Sequence, residues 1–161
     1  PSVVFSVVGG QEAQDAADDI AAVEAKEVPQ QFKTMILAQD VYSSHKLFAQ
    51  GISDMLRLID SGEESALAYR LLGDYAVRSG LALVAEDSYS QSTTLAETDE
   101  QLEEWVKAQW GLGVVYNRTD RTEQAQKVLE QANQGAMELA DEDLLRRIES
   151  AMENLNLVEA P

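Results

Sequence analysis

YRLLGDYAVRSGLALVAEDSYSQS, residues 69–92, aligns with QWGLGVVYNRTDRTEQAQKVLEQA, residues 109–132, at a shift of 40 residues. In both stretches, a Leu-Gly pair is followed by an Ala 12 residues after the Gly. An aromatic residue or Leu comes four residues later, and a small residue three residues after that. The aligned pairs are Leu72 with Leu112, Gly73 with Gly113, Ala85 with Ala125, Tyr89 with Leu129 and Ser92 with Ala132. A period of this length is typical of helical repeat proteins, in which each repeat is one hairpin of two helices.

Small residues in these stretches indicate where two helices approach each other. A glycine has no Cβ atom, so the second helix of a hairpin can pack closely against it. The glycines proposed for such contacts are Gly51, Gly73, Gly111 and Gly113. Ala85 and Ala125 supply the matching small surface on the second helix. The side chains expected to fill the surrounding space are Tyr89, Tyr116 and Leu129.

The pattern resembles the tetratricopeptide repeat, which has Leu-Gly and Tyr on its first helix and Ala, Phe and Ala on its second. The second copy supplies Leu112, Gly113, Tyr116, Ala125, Leu129 and Ala132, and the first supplies Tyr69, Leu72, Gly73, Ala85 and Tyr89. Three departures are Gln109 at the usual Trp position, Ala76 at the usual Tyr position, and a period of 40 rather than about 34 residues. The longer period looks like the long-helix subclass. The resemblance implies an all-α fold, a short right-handed superhelical solenoid of antiparallel helix pairs.

Proline placement and composition outline the remaining organisation. Proline occurs only at Pro1, Pro29 and Pro161, and the Pro-free stretch between the last two is rich in Ala, Leu, Glu and Gln, which favours helices. We expect a strand-like or disordered segment at 1–10, a weak acidic helix and linker at 11–30, and a TPR-like domain at 31–160. Within that domain we expect a degenerate copy at 31–62, clear repeats at 64–103 and 104–140, and a capping helix at 141–157.

Two helix boundaries stay open at this level. The apolar residues between Gln31 and Ile59 keep a helical period, which fits either one long helix or two helices with Ser44 as an N-cap. Asp120 or Thr122 is the expected N-cap of the second helix in the second repeat.

The first ten residues, PSVVFSVVGG, differ from the rest of the chain. Their apolar residues are Val3, Val4, Phe5, Val7 and Val8, and the Gly pair ends the run. This run is a candidate tether, either as a β-strand pairing with a partner's sheet edge or as the truncated end of a membrane anchor. The alternative is a frayed tail or a remnant of cloning.

The charge balance limits the classes of partner. The chain has 29 acidic and 12 basic residues, a net charge of -17, which predicts no binding to nucleic acid and no direct binding to a membrane unless the N-terminus is an anchor. The acidity fits general solubility or adaptation to a salt-rich cytoplasm. The compartment stays open, with the cytoplasm favoured over a periplasmic or membrane-associated location.

The chemistry of catalysis and metal binding is sparse in this sequence. There is no Cys, so thiolate metal sites and Cys nucleophiles are excluded, and the single His45 cannot form a zinc site built on several His. Phosphate-binding, nucleophile-elbow and calcium-loop motifs are absent from the sequence. We therefore expect no catalytic residues, no metal site, no cofactor and no enzymatic activity.

A candidate binding groove follows from the resemblance. In this repeat family the first helix of each hairpin lines a concave groove that takes an extended peptide or a helix. The positions that would face the groove are Arg70, Asp74, Val77 and Arg78 in the first copy, and Lys107, Trp110, Val114, Asn117 and Arg118 in the second. Five of the twelve bases cluster on or near these helices: Arg70, Arg78, Lys107, Arg118 and Arg121. These bases either bind an acidic partner segment or neutralise nearby acids, and Trp110 either anchors the partner or is a core residue.

These observations favour a protein–protein interaction module, an adaptor or assembly factor that binds a partner's peptide or helix. Two alternatives remain: a permanent structural subunit tethered by the Val-rich N-terminus, and a sensor or regulatory fragment of a longer regulator. A solenoid needs about three repeats for stability, which this chain barely provides. A homodimer or a stable place in a complex is therefore also expected.

Overall fold

A computed structural model describes residues 10–156, and every regular element in that range is a helix. The proposed tether residues Val3, Val4, Phe5, Val7 and Val8 lie outside the described residues. The helices are α1 Gly10–Glu24, α2 Gln30–Ile36, α3 Phe48–Asp60, α4 Ala66–Arg78, α5 Ala82–Thr98, α6 Leu102–Arg118, α7 Thr122–Leu139 and α8 Glu142–Asn156. A π-helical segment, Leu37–Tyr42, continues α2. Consecutive helices pack as pairs, with α4 on α5 and α6 on α7 making the most extensive contacts.

The backbone of the turns repeats with the same 40-residue period as the sequence. Gly80 and Asp120 both have positive φ, 75° and 57°, and so do Glu100 and Ala140, at 55° and 54°. The residue after each left-handed position donates its N–H to the carbonyl five residues earlier, for example Leu81 to Ala76 at 2.8 Å and Arg121 to Tyr116 at 2.9 Å. This backbone bond satisfies a carbonyl at the helix end and stops the helix. The turns therefore hold successive helix pairs in equivalent positions.

These turns correct the predicted N-caps. Thr122 is the first residue of α7, its N-cap is Arg121 without a side-chain hydrogen bond, and Asp120 is the left-handed residue before it. Residues 31–59 form two helices, but Ser44 is not the N-cap of the second; that position is Leu47. Ser44 instead donates its hydroxyl to a carbonyl of the preceding turn. In both places a left-handed residue ends the preceding helix, so the next helix starts without a polar cap.

Glycines let large side chains pass between neighbouring helices. Tyr89 of α5 is only 3% exposed, and a Cβ atom on Gly73 would lie 2.7 Å from its ring. Gly111 of α6 also faces this ring, from the neighbouring pair. Gly113 faces the Leu129 side chain, where a Cβ atom would approach to 2.5 Å. The expected contact of Gly113 with Ala125 is thus mainly a contact with Leu129, one turn further along α7.

The N-terminal third packs differently from the repeats. The π-helical segment buries Leu37, Ala38, Val41 and Tyr42, and the Tyr75 hydroxyl of α4 donates to the Ala38 carbonyl. Helix α1 contributes only Ala16 and Val23 as buried residues, because its face is made mostly of alanines. His45 and Asp19 make a polar contact at 2.8 Å that ties α1 to the end of the π-helical segment. No helix in residues 10–156 is long and apolar enough to cross a membrane.

The two repeats are also joined by charge. Arg121 donates to both carboxylate oxygens of Glu86, at 2.8 and 2.7 Å, and lies 4.4 Å from the centre of the Tyr116 ring. The hydrogen bonds from Arg121 lower the pKa of Glu86 below its usual value. Within residues 10–156 only eight carboxylates belong to ion pairs. Most acidic side chains there are solvated and repel one another.

Salt is therefore expected to stabilise the protein. Between low salt and about 1 M NaCl the Debye length falls to roughly 3 Å, which screens the repulsion of a chain with a net charge of -17. We expect the melting temperature to rise by about 2–4 °C, the shift that about 1 kcal/mol produces in a domain of this size. Differential scanning calorimetry measures it, and the same titration near the pI of about 4.2, where net charge vanishes, is the control. A flat or falling melting temperature at neutral pH contradicts net repulsion and removes the argument for a salt-rich habitat.

Candidate partner-binding groove

The first helices of successive pairs, α4 and α6, lie side by side, and α8 follows α6 in the same position. A cavity of about 480 Å³ opens across these three helices. Eight of the nine groove residues expected from the sequence line it: Arg70, Asp74, Val77, Arg78, Lys107, Trp110, Val114 and Arg118. The ninth, Asn117, is exposed on α6 and does not line this cavity. Whether a partner binds there stays a prediction.

A charged network occupies one wall of the groove. Arg70 is paired with Asp74 at 2.7 Å and with Glu104 at 2.6 Å. The Tyr89 hydroxyl donates to the other oxygen of Asp74 at 2.7 Å. Burial raises the pKa of Asp74 above its usual value, although Arg70 and the Tyr89 hydroxyl act in the opposite direction. Burial, followed by the charge of Asp74, raises the pKa of Tyr89, so that hydroxyl stays a proton donor at neutral pH.

The bases of the groove fall into two groups. Arg70 and Lys107 are neutralised, Arg70 as above and Lys107 by Glu103 one turn away on α6. No carboxylate of the described residues pairs with Arg78, Arg118 or Arg147. The groove therefore carries three unpaired guanidinium groups in a strongly acidic protein.

The neutral contacts of two of these groups fix where they lie. Arg78, at the end of α4, lies over the Phe48 ring, 5.3 Å from its centre. Arg118, at the end of α6, donates to the Val77 carbonyl at 3.2 Å. Both arginines stand in the last turn of a helix, where a positive charge interacts favourably with the helix dipole. These contacts leave their positive charges without a counter-charge.

Trp110 combines the two roles considered for it. It is partly buried and packs against the core formed by α6, α7 and α8, and it also lines the groove. Its indole Nε1 is buried without a hydrogen-bond acceptor in the described part of the protein. Gln109, at the usual Trp position of the repeat, is itself buried, with its side-chain oxygen unpartnered. Trp110 is thus a core residue with one face on the groove.

Sequence reasoning missed the contribution of α8, which supplies Leu144 and Arg147 to the groove. Tyr89 and Gly111 also line the cavity and were assigned packing roles alone. The missing signal was in the repeat period, since Arg147 lies 40 residues after Lys107. Extending the register into the capping helix would have placed Arg147 beside the groove.

A second cavity, of about 530 Å³, lies near the other ends of the helices. It is lined by Trp105 and by the carboxylates of Glu97, Glu100 and Glu138, and the Trp105 indole donates to Glu97 at 2.8 Å. The two cavities thus differ in charge, with bases gathered in the groove and acids at this second site. Among the described residues no cluster of three potential metal ligands is present. The groove offers hydrogen-bond donors and apolar surface, which suit binding.

Comparison with known proteins supports the fold. No protein-family model matches the chain, and no curated protein matches it. The crystal structure of MamA is similar, with a TM-score of 0.60, 16% sequence identity and 94% of each chain covered. At this identity the similarity shows the fold alone. MamA contains tetratricopeptide repeats, so the prediction of a TPR-like helical solenoid is confirmed. Folds of this kind generally serve protein–protein interaction and are typically non-enzymatic.

Proposed function

We propose that this protein is an interaction module, an adaptor or assembly factor, that binds an acidic segment of a partner protein in the groove across α4, α6 and α8. The observation that supports it is the concentration of unpaired Arg78, Arg118 and Arg147 on one concave surface of a protein whose net charge is -17. A negatively charged segment would neutralise these groups and form charge-assisted hydrogen bonds. An apolar side chain of the same segment would cover Trp110, Val77 and Val114.

A permanent structural subunit of a complex is the second candidate. The observation in its favour is a group of exposed apolar residues where α5 begins: Leu81, Leu83 and Val84 are 45%, 82% and 39% exposed. Exposed apolar groups close together often mark a protein interface. Light scattering of the purified chain separates the two cases, since a stable homodimer or an obligate complex would give a mass above 17.7 kDa or an aggregate, and an adaptor would be monomeric and soluble.

The groove proposal predicts a large effect of Trp110→Ala on binding. The test uses an array of short acidic peptides with and without a Leu or Phe beside the carboxylates, and the tightest peptide then serves as ligand. Trp110→Ala is expected to weaken its binding by about 2 kcal/mol, roughly 30-fold in Kd, mainly through faster dissociation. Arg78→Ala and Arg118→Ala are expected to weaken binding at low salt and less at high salt.

The matched control is Trp105→Ala, because Trp105 lines the second cavity and not the groove. Surface plasmon resonance measures the rates, and circular dichroism checks that each variant is folded. Equal effects of the two Trp substitutions, or unfolding by Trp110→Ala with a folded Trp110→Phe that binds normally, would show that Trp110 acts only in the core.

A further inference from the structure

We propose that the segment bound in the groove carries a phosphorylated side chain, and that Arg78, Arg118 and Arg147 hold its phosphoryl group. This inference rests on the proposed function, since it specifies the ligand of the same groove. It starts from the charges that line the cavity. Three guanidinium groups from α4, α6 and α8 have no carboxylate partner among the described residues, whereas Arg70 and Lys107 do.

The number of unpaired donors distinguishes a phosphoryl group from a carboxylate. Elsewhere in this chain one guanidinium satisfies one carboxylate completely, as Arg121 does with both oxygens of Glu86. A single acidic side chain would leave two of the three arginines in the groove unpaired. A phosphoryl group carries about -1.5 to -2 charges at neutral pH and presents three acceptor oxygens, so it can bind several guanidinium groups at once.

The rest of the cavity indicates that the phosphoryl group belongs to a larger ligand. Val77, Val114 and Leu144 line the same cavity beside the arginines, together with Trp110. A free phosphate ion would leave this apolar surface uncovered. A peptide with an apolar residue next to the phosphorylated one would cover it, as in ligand sites that combine apolar surface with a few polar groups.

Charge also argues against most competing ligands. The chain carries 29 acidic residues, so an unselective polyanion is repelled by the protein as a whole. A short segment with one concentrated negative charge can reach the three arginines while the rest of it stays apolar or neutral. This fits one phosphorylated residue between apolar neighbours better than a long acidic run.

The test compares four probes on the full chain: heptapeptides with phosphoserine, Glu or Ser between two Leu residues, and inorganic phosphate. Calorimetry gives the affinities, and the indole N–H signal of Trp110 in a ¹H–¹⁵N spectrum, assigned with Trp105→Phe, reports binding in the groove. The phosphoserine peptide is expected to bind about tenfold more tightly than the Glu peptide and to shift the Trp110 signal. Arg118→Gln and Arg147→Gln are each expected to lower its affinity about tenfold, whereas Lys127→Gln, with the same charge change on exposed α7, leaves it unchanged.

The outcomes separate this inference from the proposed function. If the Glu peptide binds as tightly as the phosphoserine peptide and both shift Trp110, the phosphoryl inference is wrong and the groove still binds acidic segments. If inorganic phosphate binds as tightly as the phosphopeptide, the ligand is a free ion and the inference is also wrong. If no probe shifts Trp110 at millimolar concentration, both the inference and the groove proposal are wrong.

Discussion

Replacing Gly113 with Leu is expected to destabilise the fold by about 2–4 kcal/mol. Gly113 is in the middle of α6, where a Cβ atom alone would lie 2.5 Å from two carbon atoms of Leu129. Leu129 is 1% exposed and belongs to the core shared by α6, α7 and α8, so it has little room to move. Leu favours helix more than Gly does, so any loss of stability comes from packing rather than from the helix itself. Urea unfolding measures the difference.

Two variants make this test specific. Gly10→Leu, at a helical glycine with nothing within 4 Å of its Cβ position, is expected to leave stability almost unchanged. Leu129→Ala removes the atoms that clash, so Gly113→Leu should cost less in that background than alone, a coupling that a double-mutant cycle detects. A cost below about 0.5 kcal/mol for Gly113→Leu would mean that this glycine is exposed and that the repeat register is wrong.

The fold could be predicted largely because packing constraints repeat along the sequence. Gly73 and Gly113 must each accept a large side chain 16 residues later, Tyr89 or Leu129, and this requirement leaves the same residue types at the same spacing. Proline is absent between Pro29 and Pro161, so nothing interrupts the helical periodicity in between. Together these local rules and the tertiary contacts point to the same structure.

The turns were harder to predict because they depend on backbone conformation more than on side chains. Only Gly80 among the left-handed turn residues of the repeats is a glycine; Glu100, Asp120 and Ala140 adopt positive φ without that advantage. The backbone bonds of the turn and the packing of the helices outweigh the cost of about 1–2 kcal/mol for each such residue. A sequence pattern based on Gly and on polar N-caps therefore places these boundaries only approximately.

The groove was partly predictable for a related reason. The repeat register gives the residues that face it, but not which charges are paired, since Arg70 meets Glu104 from 34 residues away. Ion pairs between helices depend on the geometry of the stack. The distinction between neutralised Arg70 and unpaired Arg78 and Arg118 therefore requires the structure.

Tyr89→Ala is expected to have the largest effect on stability of the substitutions considered, about 3–5 kcal/mol, the cost of removing a buried aromatic side chain. The Tyr89 ring lies between Gly73 of its own helix pair and Gly111 of the next, so its loss leaves a cavity at the contact between two repeats. Its hydroxyl also holds Asp74, which pairs with Arg70 on the groove wall. One side chain thus connects the packing of the solenoid to the geometry of the groove.

Tyr89→Phe separates these two contributions. The ring and its packing remain, and only the hydrogen bond to Asp74 is lost, so we expect a smaller cost of about 1–3 kcal/mol, measured by urea unfolding beside Tyr89→Ala. Without the hydroxyl, Asp74 keeps only Arg70 as a close partner, and Arg70 also binds Glu104. The Phe variant should therefore weaken binding of the acidic peptide while the fold is retained, because the groove wall loses a fixed contact. Equal costs for Ala and Phe would mean that the ring packs loosely and that the glycines at Gly73 and Gly111 do not serve to accommodate it.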